Sequence, residues 1–191
     1  MSGRKQSKRV FVGIKMSDEI ADECAKLQSS LVDLPARFIP REDMHLTLLP
    51  PWEMTDQSFV EDRLREVLER AKRFTLKLER LSYGPNEREP RLAWIECAVT
   101  HEIVSLEKDL SRTFNVRDRF SFIPHVTIAR FRKEDKKKLL ARPIEQAIAL
   151  SMPVESVELF ETPHLGGVGY TVLSSLLIPI DDSDKILNFY V

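Results

Sequence analysis

The chain has 191 residues, 42 % apolar and 31 % charged, with a formal net charge of −1. This is the composition of an ordinary globular protein. It excludes a global basic field for coating nucleic acid, so any attraction for phosphate has to be local. Cys24 and Cys97 have neither a CxxC partner nor a histidine at zinc spacing. That excludes a disulfide or zinc-finger framework and reads as two core thiols in a reducing compartment.

Residues 1–8 are basic and polar, and the apolar stretch that follows, VFVGI, is only five residues long. It is too short for a signal peptide core, and no segment reaches the roughly 20 apolar residues of a membrane span. We read a disordered leader on a cytoplasmic protein, with one domain over 9–179 and a tail over 180–191. RVFVGIKM (Arg9 to Met16) predicts a strand. Ser17 is an N-cap candidate, and Ile20, Cys24, Leu27 and Leu31 mark one helical face behind it. A short extended piece and a turn at Pro40 to Asp43 lead to a strand from about Met44 to Leu49. Pro50 and Pro51 should stop it, since proline cannot donate to a ladder.

DQSFVEDRLREVLERAKRF is the clearest helix, with Phe59, Leu64, Val67, Leu68 and Ala71 as its apolar stripe and an Arg/Glu-rich outer face that reads as solvated. FTLKLERLSYG and RLAWIECAV predict an antiparallel pair, and THEIVSLEKDLSRTF a helix with Ile103, Leu106 and Leu110 inward. A strand from His125 to Phe131, a charged segment and three more strand candidates complete the chain. The order fits α+β with mostly antiparallel sheets, and neither GxGxxG nor GxxxxGK is present.

Two of the four histidines stand in the same local frame, HLTL at His45 and HVTI at His125, 80 residues apart. Side chains alternate along a strand, so His45 and Thr47 share one face, as do His125 and Thr127, with apolar residues behind. Set side by side, two such strands offer two imidazoles and two hydroxyls to one ligand. A phosphodiester needs that set. One neutral imidazole takes a proton from the nucleophile, an imidazolium protonates the leaving oxygen, and hydroxyls donate to the phosphoryl oxygens. A zinc site with His101 or His164 as third ligand is the chemical competitor, but the acidic residues lack recognisable spacing for it.

With these motifs in view, the sequence resembles the two-histidine (2H) phosphoesterase superfamily, and within it the LigT-like (ThpR) RNA 2′,3′-cyclic phosphodiesterases. RVFVGIKM, REDMHLTL, RLAWIECAV, FIPHVTIARFR and VESVELFET…GYTVLSSLLI occur in the family's order, from Arg9 to Pro179. The resemblance implies a bilobed, pseudo-twofold α+β fold, with two mostly antiparallel sheets and flanking helices around a central groove. It implies metal-independent hydrolysis of a terminal 2′,3′-cyclic phosphate to a 2′-phosphomonoester, with His45 as general acid and His125 as general base. Thr47, Thr127 and Arg130 would bind the substrate phosphate. No cofactor is implied. The implied partner is RNA with a cyclic-phosphate end, tRNA halves included, acted on by a monomer. The alternatives are 2′-5′ RNA ligation or cleavage, a small cyclic nucleotide as substrate, or a non-catalytic module that binds RNA ends.

Two departures stand out. Strict alternation sends Arg130 to the face opposite His125, so it reaches the phosphate only if the strand ends, bends or bulges after Ala129. The family's polar continuation after the first motif is replaced here by LLPPWE. Arg132, Lys133 and Lys136 to Lys138 are candidates for RNA backbone contacts. Trp52, Phe120 and Phe122 flank the motifs as candidates for base stacking.

Overall fold

Nine strands and four α-helices lie within residues 7–116, 121–163 and 169–180, the residues described in the computed structural model. The strands are β1 (Lys8–Lys15), β2 (Ala36–Phe38), β3 (His45–Met54), β4 (Phe74–Gly84), β5 (Leu92–Cys97), β6 (His125–Phe131), β7 (Glu145–Val154), β8 (Ser156–Glu161) and β9 (Thr171–Leu177). The helices are α1 (Asp18–Ser29), α2 (Gln57–Leu68), α3 (His101–Phe114) and α4 (Lys136–Leu140). Each of the three long helices starts on a side-chain cap. Ser17, Asp56 and Thr100 accept from the N–H three residues on, at 3.3, 3.2 and 3.4 Å. Each such cap is worth about 1 kcal/mol.

The strands run in the order β7-β4-β5-β6-β3-β1-β8-β9, every neighbour antiparallel, with β2 added to β6. The sheet divides into halves of four strands, each with a His-x-Thr strand innermost. The halves meet at one register pair, Leu46↔Val126. The chain interleaves them. Between β1 and β3, which lie in one half, it forms α1, yet α1 packs against β6 and β7 of the other. Between β5 and β6 it forms α3, which packs against β3 and α2. The core is therefore shared. Leu46, Val126, Ile128 and Leu110 are completely excluded from solvent, which is what lets two strands present polar faces without unfolding.

Three sequence expectations need correction. Strand β3 runs through Pro50 and Pro51 to Met54 instead of ending at Leu49. Val10 pairs Trp52 while Val12 pairs Leu49, so an extra residue bulges at the prolines. On the other side β3 pairs β6 only at Leu46. The missing donors fall where the ladder is interrupted or one-sided, which is where a strand tolerates proline. In α2 the buried stripe is Val60, Leu64, Val67 and Leu68, whereas Phe59 is 63 % exposed. Phe59 sits one position around the helix from Val60, and propensity cannot choose between adjacent apolar residues. The helix also ends at Leu68, so Ala71 lies beyond it.

Other expectations agree with the structure. Ile103, Leu106 and Leu110 are the buried face of α3, and β4 and β5 pair antiparallel. The charged segment after β6 forms a 3₁₀ turn (Lys133–Asp135) and α4. Residues 1–6, Phe120, His164 and 181–191 lie outside the described residues. Among those described, no helix is long and apolar enough to cross a membrane.

Candidate active site

The pair Leu46↔Val126 sets the geometry of the site. Both side chains are buried, so the flanking residues on each strand, His45 and Thr47, His125 and Thr127, project from the opposite face. In antiparallel register this sets His45 beside Thr127 and Thr47 beside His125, with the imidazoles on a diagonal. All four are half-buried.

Each histidine is held in the same way. The Nδ1–H of His45 donates to the Asp43 carbonyl at 2.6 Å, and that of His125 to the Ile123 carbonyl at 2.7 Å. A carbonyl only accepts, so Nδ1 carries hydrogen in both rings. Nε2 is then the ring nitrogen at which a proton can be gained or lost.

The backing of the two rings differs. At the position opposite Thr47 one half carries Gly13, and opposite Thr127 the other carries Trp94. A Cβ on Gly13 would lie 2.6 Å from the Leu46 carbonyl oxygen, so only glycine fits this close approach. Beside it, His45 meets Phe11 (ring centroids 4.8 Å), Phe160 (5.4 Å) and Tyr170 (5.0 Å, edge-on). Tyr170 is tied down by its backbone N–H, which donates to Asp43 Oδ1 at 2.9 Å. Burial in this aromatic nest lowers the His45 pKa below the usual imidazole value. The hydrogen bond to Asp43 opposes the shift, and the charges of Arg130 and His125 reinforce it.

His125 packs instead on the Trp94 indole, at 4.3 Å. Trp94 is 4 % exposed and lies against Gly84, where any Cβ would strike the indole at 2.3 Å. Its Nε1–H donates to Ser82 Oγ (3.0 Å) and Glu96 Oε1 (3.3 Å). Glu96 in turn accepts from Arg80 and Ser82. Burial raises the Glu96 pKa, but these hydrogen bonds from Arg80, Ser82 and Trp94 outweigh it and hold the carboxyl below its ordinary range. Sequence reading placed Trp94 and Glu96 on a strand but not under a histidine. The signal was their count back from the second motif, usable only with the register known.

A bulge settles the position of Arg130. Ala93 pairs Ala129, but the next residue, Trp94, pairs Thr127, leaving Ile128 as the extra residue. The bulge shifts the alternation by one. Val126, Ile128, Ala129 and Phe131 are buried, and Arg130 emerges on the face of His125 and Thr127. The break thus falls at Ile128, just before Ala129. Strand β3 has the matching bulge: Val12 pairs Leu49 and Gly13 pairs Thr47, so Leu48 is extra. Counting on from it, Pro50 occupies the place of Arg130.

A groove of about 590 Å³ opens from Thr47 and His125. Pro50 and residues of α3 line it from one half, Leu92 and Trp94 from the other, and Phe122 borders it too. Both Phe122 and Trp52 pack against the core, Trp52 with Phe114 at 5.5 Å, and of the two only Phe122 lines the groove. Lys136 pairs with Glu89 at 3.3 Å, and Arg132, Lys133, Lys137 and Lys138 lie on the half-exposed to exposed segment beyond β6. His101 is exposed at the start of α3. Among the described residues no group of three His, Cys, Asp or Glu gathers to hold a metal. Cys24 and Cys97 are buried, and burial pushes the Cys24 thiol up to about 12, which suits inert core thiols.

The family model described as the 2′-5′ RNA ligase superfamily matches residues 7–164. A protein of Aquifex aeolicus named RNA 2′,3′-cyclic phosphodiesterase is 24 % identical over 140 residues, 69 % of this chain and 74 % of that protein. One of the same name from Methanocaldococcus jannaschii is 26 % identical over 144 residues, 72 % of this chain and 80 % of that protein. Among solved structures, a Thermus thermophilus protein superposes with a TM-score of 0.72 at 22 % identity, covering 91 % of this chain and 99 % of its own. E. coli LigT, crystallised as a complex with 3′-AMP, gives 0.68 at 21 % identity, covering 91 % of this chain and 99 % of its own.

Proposed function

The chain belongs to the 2′-5′ RNA ligase superfamily, and from that premise we propose that it hydrolyses terminal 2′,3′-cyclic phosphates on RNA to 2′-phosphomonoesters by acid–base catalysis between His125 and His45. Nε2 of His125 takes a proton from water as the oxygen attacks phosphorus. The P–O3′ bond breaks, and Nε2–H of His45 gives its proton to the departing 3′ oxygen. The hydroxyls of Thr47 and Thr127 and the guanidinium of Arg130 hold the non-bridging oxygens as negative charge builds on them.

The observation that carries this reading is the paired Nδ1–H to carbonyl lock on either side of Leu46↔Val126. It sets Nε2 as the proton-exchanging nitrogen of each ring, on rings that share one face. The names of the two homologues point to the same substrate class. The low pKa of free His45 fits an acid that is charged by its substrate. A bound phosphodiester anion stabilises the charged imidazolium against burial and against the charges of Arg130 and His125, and so favours the protonated form in the complex. The groove beside His125, with Trp94 and Phe122, offers apolar surface for the terminal base.

The test is an RNA oligonucleotide ending in a 2′,3′-cyclic phosphate, incubated in chelator, with its product analysed for phosphate position. A 2′-phosphate product, lost with either His→Ala variant, is the expected result. Full turnover by either variant, or a 3′-phosphate product, overturns the scheme. Parallel assays with cyclic mononucleotides and with 2′-5′-linked RNA decide between the substrates this chemistry can serve.

A further inference from the structure

The three-residue strand β2 carries no periodic signal, yet it determines what stands beside Arg130. It pairs with β6 in the register Ala36↔Phe131, Arg37↔Arg130, Phe38↔Ala129. Directly opposed residues of an antiparallel pair share a face, with Cβ atoms roughly 4.5–5.5 Å apart. Because the bulge at Ile128 turns Arg130 toward the histidine face, Arg37 lies on that face too. Both are exposed. Neither side chain makes an ion pair or hydrogen bond with another described residue.

This arrangement is unfavourable by itself. Like charges directly opposite across a ladder destabilise it. Two other cations of the sheet have acidic partners: Lys8 pairs with Glu161 at 2.9 Å and Arg80 with Glu96 at 2.9 Å. At Arg37 and Arg130 two guanidiniums stand opposed on the histidine face and the counter-charge is left for a ligand to bring. Arg130 is near enough to His45 for its charge to act on that imidazole. Arg37 lies one strand further out, on β2, beyond the N-terminal end of β3.

We propose that Arg37 is a second phosphate anchor, holding the phosphodiester next along the chain from the terminal cyclic phosphate that Arg130 holds. The preferred substrate is then an RNA strand of at least two nucleotides, bound more tightly than a cyclic mononucleotide with the same end. A guanidinium is suited to this, as a permanently charged fork that matches phosphate oxygens. The inference rests on the hydrolase reading above. Arg37 touches none of the reacting atoms in that scheme, so it is a binding residue whose loss raises KM and leaves kcat unchanged.

The experiment compares wild type with Arg37→Ala and Arg37→Lys on two substrates, a cyclic mononucleotide and a short RNA with the same cyclic end. For Arg37→Ala, kcat/KM on the RNA falls about tenfold through KM, and its log–log salt slope becomes shallower by about 0.7, the release of one counterion from a single strand. The cyclic mononucleotide is turned over as before, and Arg37→Lys recovers part of the loss. Equal losses on both substrates overturn the proposal, since Arg37 then belongs to the terminal phosphate site. No loss on either also overturns it. If wild type is idle on both substrates, it is the hydrolase reading that fails. The anchor is then tested by fluorescence anisotropy with an RNA ending in a 2′-phosphate, where tenfold weaker binding by Arg37→Ala supports it and equal binding overturns it. Arg37 is exposed and unpartnered among the described residues, so matching thermal melts are expected for all three proteins.

Discussion

His45 and His125 are chemically alike, and their surroundings separate them. Replacing either with alanine should lower kcat by a factor between about 10² and 10⁴, the usual range for one acid or base, read in single-turnover assays. The pH profile carries a finer test. Free His45 has a lowered pKa, so as an acid it limits kcat/KM on the alkaline limb, with a midpoint below the usual imidazole value. In kcat, which reports the complex, the same limb should sit higher. Arg130→Gln removes one of the charges that lower the His45 pKa, so its NMR titration should move upward while phosphate affinity falls. The same shift bears on stability. Because the folded pKa lies below the unfolded one, the contribution of neutral His45 is fully present above the unfolded value. It is lost as pH falls toward the folded value. Melts at pH 8 and pH 5 should show a smaller acid loss for His45→Gln than for wild type.

Among strands and helices, the two matching bulges do most to shape the site. Inserting one alanine between Ala129 and Arg130 should carry the alternation one step further, turn Arg130 toward the core and abolish activity, whereas Ile128→Val keeps the bulge and most of the rate; circular dichroism separates a folded, inactive product from an unfolded one. Gly13→Ala tests the crossing of β1 and β3. The new methyl meets the Leu46 carbonyl at 2.6 Å, and relieving that overlap should cost about 1–3 kcal/mol in urea unfolding, with activity falling because Leu46 joins the halves. These elements also show how much was legible in the sequence. The His-x-Thr frames, the Ser17 cap and the buried face of α3 follow from local spacing, since they depend on one strand or one helix turn. The side on which Arg130 emerges depends on how β5 pairs with β6, and Arg37 depends on a strand of three residues; neither relation is written locally. Pro50 and Pro51 misled for the same reason, because proline is judged by which neighbour needs its N–H, and that neighbour is known only from the register.

For the molecule as a whole, the exchange of α1 and α3 between halves forbids independent folding. Each half-sheet buries its back against a helix that the chain forms within the other. Thermal unfolding should therefore be one cooperative transition by both near- and far-UV circular dichroism, and two separate steps would refute this. The equivalence of Pro50 and Arg130 has a different consequence. A groove with true twofold symmetry would accept a phosphodiester threaded in either direction, with acid and base trading places. With a cation at one of two matched positions and an imino acid at the other, the two directions of threading are unequal in energy. A strand entering backwards would place its charge against a ring that can donate nothing. The internal repeat thus supplies a matched pair of imidazoles, and its break at Pro50 and Arg130 gives a bound strand a sense of 5′ and 3′.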